Sequence, residues 1–200
     1  MIQQRERTLI LIKPDGVQRS LIGEIIRRYE RTGLKLAALK FFIPSEELIE
    51  KQYSSHEGWL ESTGRKSIAA YEKKGLRPPF NDAIQCGKAV LARLIKYLSS
   101  GPVVVMVWEG NQAVGVVRKV TGGTEPLTSD VGTIRGDLTV DSYDLADSGD
   151  RAVRNLIHAS GSPAEAEKEI PIWFKKDEIV KYNIIQEKIL YDVNLDGIKE

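Results

Sequence analysis

The sequence predicts an α/β domain, and three features carry the prediction. Residues 8–12 (TLILI) and 103–108 (VVVMVW) are short runs of almost unbroken apolar character set off by turn formers, as strands buried on both faces require. Around them lie segments whose apolar residues recur with the 3.6-residue period of amphipathic helices. With 200 residues and 42% hydrophobic content, the chain can bury one core and falls short of two ordinary ones, so a single domain over 1–200 is expected.

Taken in order, the N-terminal MIQQRERTLILIKPDG has too short an apolar run before Lys13 and Pro14 for a signal peptide or a membrane span, and it reads as a first strand. The KPDG turn signal leaves Lys13 at that strand's end. Ser20 is positioned to cap a helix carrying Ile22, Ile25, Ile26 and Tyr29, with Gly33 as its stop. Residues 34–43 read as a strand whose alternation slips at the Ala37, Ala38 pair, as a bulge would make it. Ser45 then starts a helix with Leu48, Ile49 and Tyr53 on one side.

Residues 57–82 are rich in charge, Gly and Pro and read as a surface excursion with one short helical stretch near 67–74. Helical periodicity resumes over 84–98, and the apolar run after Gly101 and Pro102 is a central strand. Residues 114–120 lean towards helix, although Gly115 speaks against it. Residues 122–136 carry four glycines and no periodicity, long for a connection in a compact domain. Arg118 and Arg135 bracket this stretch, and two guanidinium forks with loop amides suit a phosphate as well as they suit a solvated surface. A second, aspartate-rich excursion over 138–150 precedes the strand expected to hold His158. Ser162, Pro163 and Glu165 make a capping box for the next helix, which Pro171 should end just beyond Glu169. The tail from Asp177 has a helical start and an apolar stretch over 189–193.

Chemistry enters by elimination. Basic and acidic residues nearly cancel, 29 against 28, so no global field draws the chain to nucleic acid or an anionic membrane, and any anion site must be local. The lone Cys86 offers neither disulfide nor paired-cysteine metal spacing, which fits a reducing compartment, with cytoplasm the default. Two histidines, His56 and His158, are too few for multi-imidazole clusters, and GxSxG, GxxxxGK[ST] and HExxH are absent. One imidazole at a strand end, Lys13 at another and two arginines around a glycine-rich loop together fit phosphoryl transfer, in which positioning and charge neutralisation supply most of the catalysis. A neutral imidazole is abundant at pH 7, and the phosphoramidate that it forms keeps a high transfer potential.

The segments KPDGVQRSLIGEII, GPVVVMVWEG, GTIRGD and NLIHASGS, in this order, resemble the nucleoside diphosphate kinases. The resemblance implies an α/β (α+β) sandwich on a four-stranded antiparallel sheet of ferredoxin-like topology flanked by helices. It implies transfer of the γ-phosphate of a nucleoside triphosphate, typically ATP, to a nucleoside diphosphate by a ping-pong route through a phosphohistidine on His158. Glu169 would steady the ring's other nitrogen, with Ser160 in support. Lys13, Tyr53, Arg118, Thr124, Arg135 and Asn155 fall on nucleotide-contacting positions, although Lys13 and Tyr53 taken alone read as ordinary snorkelling or packing residues. Mg²⁺ would arrive with the nucleotide phosphates, with no protein cage of its own. A homo-oligomer is implied, hexamer rather than tetramer, built with the loop containing Pro126 and the C-terminal tail.

Three departures stand out. Gly161 occupies a position that is usually acidic; the chain is extended at about 57–88 and again at about 138–150. The first extension leaves the residue that stacks on the base open among Trp59, Phe80 and Val90. The competing reading is a non-catalytic nucleotide-binding or regulatory protein on the same scaffold; near-zero net charge weighs against a nucleic-acid binder.

Overall fold

The computed structural model describes residues 5–191. Four strands, β1 (Arg5–Ile12), β2 (Lys35–Phe42), β3 (Val103–Asn111) and β4 (Ile157–Ala159), form one sheet in the order β2-β3-β1-β4. Every pairing is antiparallel, and β2 slips register against β3 between Leu36 and Ala38, the bulge expected at the alanine pair. This is the predicted four-stranded antiparallel sheet of ferredoxin-like topology.

Period-two alternation divides the central strands between two cores. Leu9, Leu11, Val103, Val105 and Val107 face one way, onto helices α3 (Glu46–Ser54), α5 (Ala83–Leu98) and α9 (Pro163–Trp173). Ile10, Ile12, Val104, Met106 and Trp108 face the other, onto α2 (Ile22–Glu30), α6 (Ala113–Thr121) and α7 (Ile134–Leu138). Both faces are therefore covered, which is why residues 9–12 and 103–108 are apolar at every position. Residues 114–120 are helical as expected, and Gly115 faces open space.

Several local expectations give way to context. KPDG opens a short helix, α1 (Pro14–Gln18), in which Pro14 takes the first position with no N–H to lose. Ser20 does not cap α2; at φ 57° it ends α1, with its own N–H on Val17 O and that of Leu21 on Gly16 O. Pro171 does not end α9, which runs two residues further: the last turn closes through Phe174 N–H to Ile170 O, while Trp173 is anchored in the core. Half of the expected capping box forms: Ser162 accepts from Glu165 N, but the Glu165 carboxylate reaches one residue further back, to Gly161 N at 2.8 Å.

The largest correction concerns the two excursions. The short helical stretch is in fact α4 (Trp59–Lys73), fifteen residues lying along α5. The helices approach until a Cβ on Gly64 would overlap the Ala83 carbonyl and one on Gly87 the Leu60 carbonyl. Charges on the outer face hid this helix's period, and Gly64, which the Gly-rich excursion made look like part of a loop, forms with Gly87 its packing notch. Over 138–150 the chain forms α8 (Tyr143–Ser148), capped by the Ser142 side chain. Salt bridges from Lys74 to Asp144 (2.6 Å) and Asp147 (3.0 Å) join the end of α4 to α8. After α9 come a 3₁₀ turn (Lys176–Glu178) and α10 (Ile185–Tyr191); the apolar stretch over 189–193 lies partly outside the described residues. Among the described residues, no helix is long and apolar enough to cross a membrane.

Candidate active site

The site forms where β1 and β4 run side by side. Leu11 pairs with His158, so Lys13 leaves β1 two residues beyond the histidine's partner. The turn entering β4 is held under strain: Leu156 is fully buried at φ 66°, with Lys13 N–H on its carbonyl at 2.8 Å and its own N–H on Asp15 at 3.2 Å. That kink aims His158 into a cavity of about 560 Å³.

His158 Nε2 lies 2.9 Å from Glu169 Oε1, two helical turns into α9. Among the described residues its Nδ1 meets no protein partner, leaving that nitrogen for the cavity. Glu169 is completely buried, and Ser160 donates to its Oε2 while accepting Leu9 N–H. Oε1 is shared further: Gln52 Nε2 donates to it, and His56 Nε2 lies 3.1 Å away. Burial alone would raise the Glu169 carboxyl; a positive charge on His158, the hydrogen bonds from His158 and Ser160, and the charge of His56 hold it below the ordinary carboxylate value.

The cations converge on the same cavity. Lys13 Nζ, nearly buried, donates to Asn155 Oδ1 at 2.6 Å, and Asn155 Nδ2 donates to the Thr124 carbonyl at 2.8 Å. Burial, with the nearby Arg135 and Arg154 charges, lowers Lys13 to about 7, against a smaller upward pull from Asp15. Arg118, in the last turn of α6, is exposed at the cavity wall. Arg135 is not on the irregular loop expected for it but on α7, where Thr133 caps the helix. Its guanidinium binds four backbone carbonyls, those of Gly122, Gly123, Asn155 and Ile157, and burial brings it down to about 10, still charged near neutrality. Among the described residues, one of its five N–H donors has no partner. Tyr53 is buried, with its ring 4.8 Å from that of Trp59, and burial followed by the charge of Glu169 pushes its phenol well up.

All of the predicted site residues except Ser160 and Glu169 line the cavity; those two stand behind His158. Trp59 and Val90 line it too, whereas Phe80 does not and is exposed. Sequence reasoning missed Gln52 and His56, one turn apart on either side of Tyr53, and the arginines Arg93 and Arg151 in the wall.

Among the described residues only His56, Glu165 and Glu169 bring three metal-capable atoms within 4.8 Å, and two of these already bind one another. Among the described residues, the sole carboxylate in the cavity wall, Asp147, is paired with Lys74. A donor set of this kind fits an ion carried in on phosphate oxygens better than one held by the protein. Gly161 is crowded by the same acid: a Cβ there would have to displace the Glu165 carboxylate.

The nucleoside diphosphate kinase family matches residues 6–61 and 82–179. The nucleoside diphosphate kinase of Pyrobaculum aerophilum is 48% identical over 180 residues, 88% of this chain and 98% of that one. The crystal structure of an NDP kinase from that organism aligns at 47% identity with a TM-score of 0.86, over 88% of this chain and 100% of the other. The nucleoside-diphosphate kinase of Borrelia burgdorferi, described as a transition state mimic with bound vanadate and ADP, aligns at 37% identity with a TM-score of 0.75, over 92% of this chain and 96% of the other. A sheet of this topology, a buried carboxylate behind the strand histidine and matches along most of the chain agree: the protein belongs to the nucleoside diphosphate kinase family, and is an enzyme that transfers phosphate between nucleotides.

Proposed function

We propose that His158 is the phosphorylated nucleophile and that the reaction is ping-pong, with Glu169 and Ser160 supporting the histidine. The observation that carries this is the division of labour on the imidazole: Nε2 is held by a buried carboxylate, while Nδ1 has no partner among the described residues and the ring lines the cavity. In that tautomer Nε2 bears the proton and Nδ1 the lone pair. Nδ1 attacks the γ-phosphorus, the N–P bond forms, and the bond from phosphorus to the β-γ bridging oxygen breaks with its electron pair leaving on the nucleoside diphosphate. Nε2 keeps its proton, and Glu169 balances the positive charge that develops on the ring. A terminal phosphate oxygen of a second diphosphate then attacks the phosphohistidine, and imidazole leaves.

Lys13, Arg118 and the free donor of Arg135 neutralise the phosphates, Thr124 and Asn155 fix their approach, and Tyr53 with Trp59 walls the nucleoside. The vanadate and ADP of the Borrelia burgdorferi structure support this reading of a phosphoryl site beside a diphosphate. Mg²⁺, carried on the phosphates, supplies further charge neutralisation. The substrates are ATP and other nucleoside tri- and diphosphates, with no nucleic acid or membrane required, in the cytoplasm. Assembly belongs to the same reading: a homo-oligomer, hexamer before tetramer, whose contacts would cover Leu39, Phe41 and Ile43, now exposed along and just past β2. The non-catalytic alternative is not favoured.

The test is labelling with ATP carrying a radioactive γ-phosphate and no acceptor. The wild type should hold a label that resists alkali, is lost in acid and is discharged by GDP, and His158→Ala should hold none. Label retained by His158→Ala would overturn the assignment.

A further inference from the structure

Residues 62–81 lie outside the stretches that match the family, yet part of this segment forms a wall of the catalytic cavity. Along α4, Thr63, Lys66, Ser67, Ala70 and Tyr71 face it, spaced three, four, seven and eight residues from the first, which is one stripe of a helix. The outer side bears Glu61 and Arg65, paired with one another at 2.6 Å. The inner stripe is polar where a merely structural wall would be apolar, and among the described residues the side chains of Thr63, Lys66 and Ser67 have no hydrogen-bond or ion-pair partner. Their helix is held in place at both ends, by the Gly64 and Gly87 notch against α5 and by Lys74 on Asp144 and Asp147. Positioned donors without partners, on the wall not taken by the phosphate-facing cations, are what recognition of a base edge needs.

We propose that the inner stripe of α4 is a base-selecting wall added to this enzyme, in which Lys66, with Ser67 and Thr63 beside it, favours 6-oxopurine over 6-aminopurine nucleotides. The inference rests on the nucleotide reading of the cavity. An ammonium group only donates, so it accepts guanine, whose O6 and N7 are both acceptors on one edge. Adenine keeps N7 but sets an amino donor where O6 would be, and one contact is lost. Because Lys66 is exposed at the cavity rim, the contact is partly screened, and a preference of roughly fivefold is expected.

The experiment is equilibrium titration calorimetry of the full chain with GDP and with ADP, alongside γ-phosphate labelling of each variant. The wild type should bind GDP about fivefold more tightly than ADP, Lys66→Met should bring the two affinities together, and Arg65→Met on the outer face should leave the ratio as it was. Equal affinities in the wild type, or a preference that survives in Lys66→Met, would overturn the proposal. Failure of the underlying reading shows separately, as a wild type that binds neither nucleotide or takes no label from ATP.

Discussion

At the scale of residues, Lys13, Arg135 and Glu169 are each held away from their ordinary value for a visible reason. Lys13 is the clearest case. Its pKa of about 7 lies below the ordinary 10.5 because burial and two arginines disfavour its charge, so in the empty protein at pH 8 it is largely neutral. A bound polyphosphate brings the opposite charge and restores the ammonium form. Nucleotide binding at pH 8 should therefore take up about one proton per site, and far less at pH 6, seen as a dependence of the calorimetric heat on the buffer's ionisation enthalpy. Lys13→Met should abolish that dependence, and heats equal across buffers at pH 8 in the wild type would contradict the account. The same shift fixes a sign for stability. Because the folded pKa is the lower one, the unfolded chain binds the extra proton between about 7 and 10.5, and stability from this group rises with pH through that window. His158, Lys13 and Asn155 were legible in the sequence because each sits in a short motif; His56 and Gln52 were not, because their contact with Glu169 spans more than a hundred residues and depends on α3 lying over α9.

At the scale of elements, the sheet and its flanking helices were readable because apolar period and turn chemistry agree there. The strands of 8–12 and 103–108 and the bulge at Ala37 and Ala38 follow from local pattern, whereas the helix over 114–120 is ambiguous in the sequence, where Gly115 speaks against it. The errors fall where tertiary contact overrides local signal: Pro171 inside α9, Ser20 ending one helix instead of starting another, and α4 read as mostly irregular. Gly64 gives the last of these a measurable form. A methyl at this position meets the Ala83 backbone, whereas Gly115, also helical, has nothing within 4 Å of such a methyl. Gly64→Ala should lower stability by about 2 kcal/mol or more through overpacking. Gly115→Ala should raise it by about 0.5–1 kcal/mol through helix propensity. Denaturant unfolding of both variants tests the pair, and a neutral Gly64→Ala would mean that the α4 and α5 contact is looser than described.

At the scale of the whole molecule, α4 and α8 complete the wall of the cavity that His158 lines. Lys74 joins them to one another, and Asp141 holds Arg151 with two contacts, 2.6 and 2.8 Å, beside the same cavity. Basic and acidic residues nearly cancel over the chain, 29 against 28, while the cavity is cationic, so any attraction for an anion is built locally. The whole arrangement has one chemical consequence that separates it from direct transfer between two bound nucleotides: a first product must leave before the second substrate is needed. The most direct measurement is rapid mixing of the enzyme with ATP in the absence of any diphosphate acceptor, counting ADP formed against active chains. The account predicts a burst approaching one ADP per chain, with the phosphate recovered on His158 by peptide mapping under alkaline conditions. No ADP until an acceptor is added, or phosphate recovered on another residue, would contradict it.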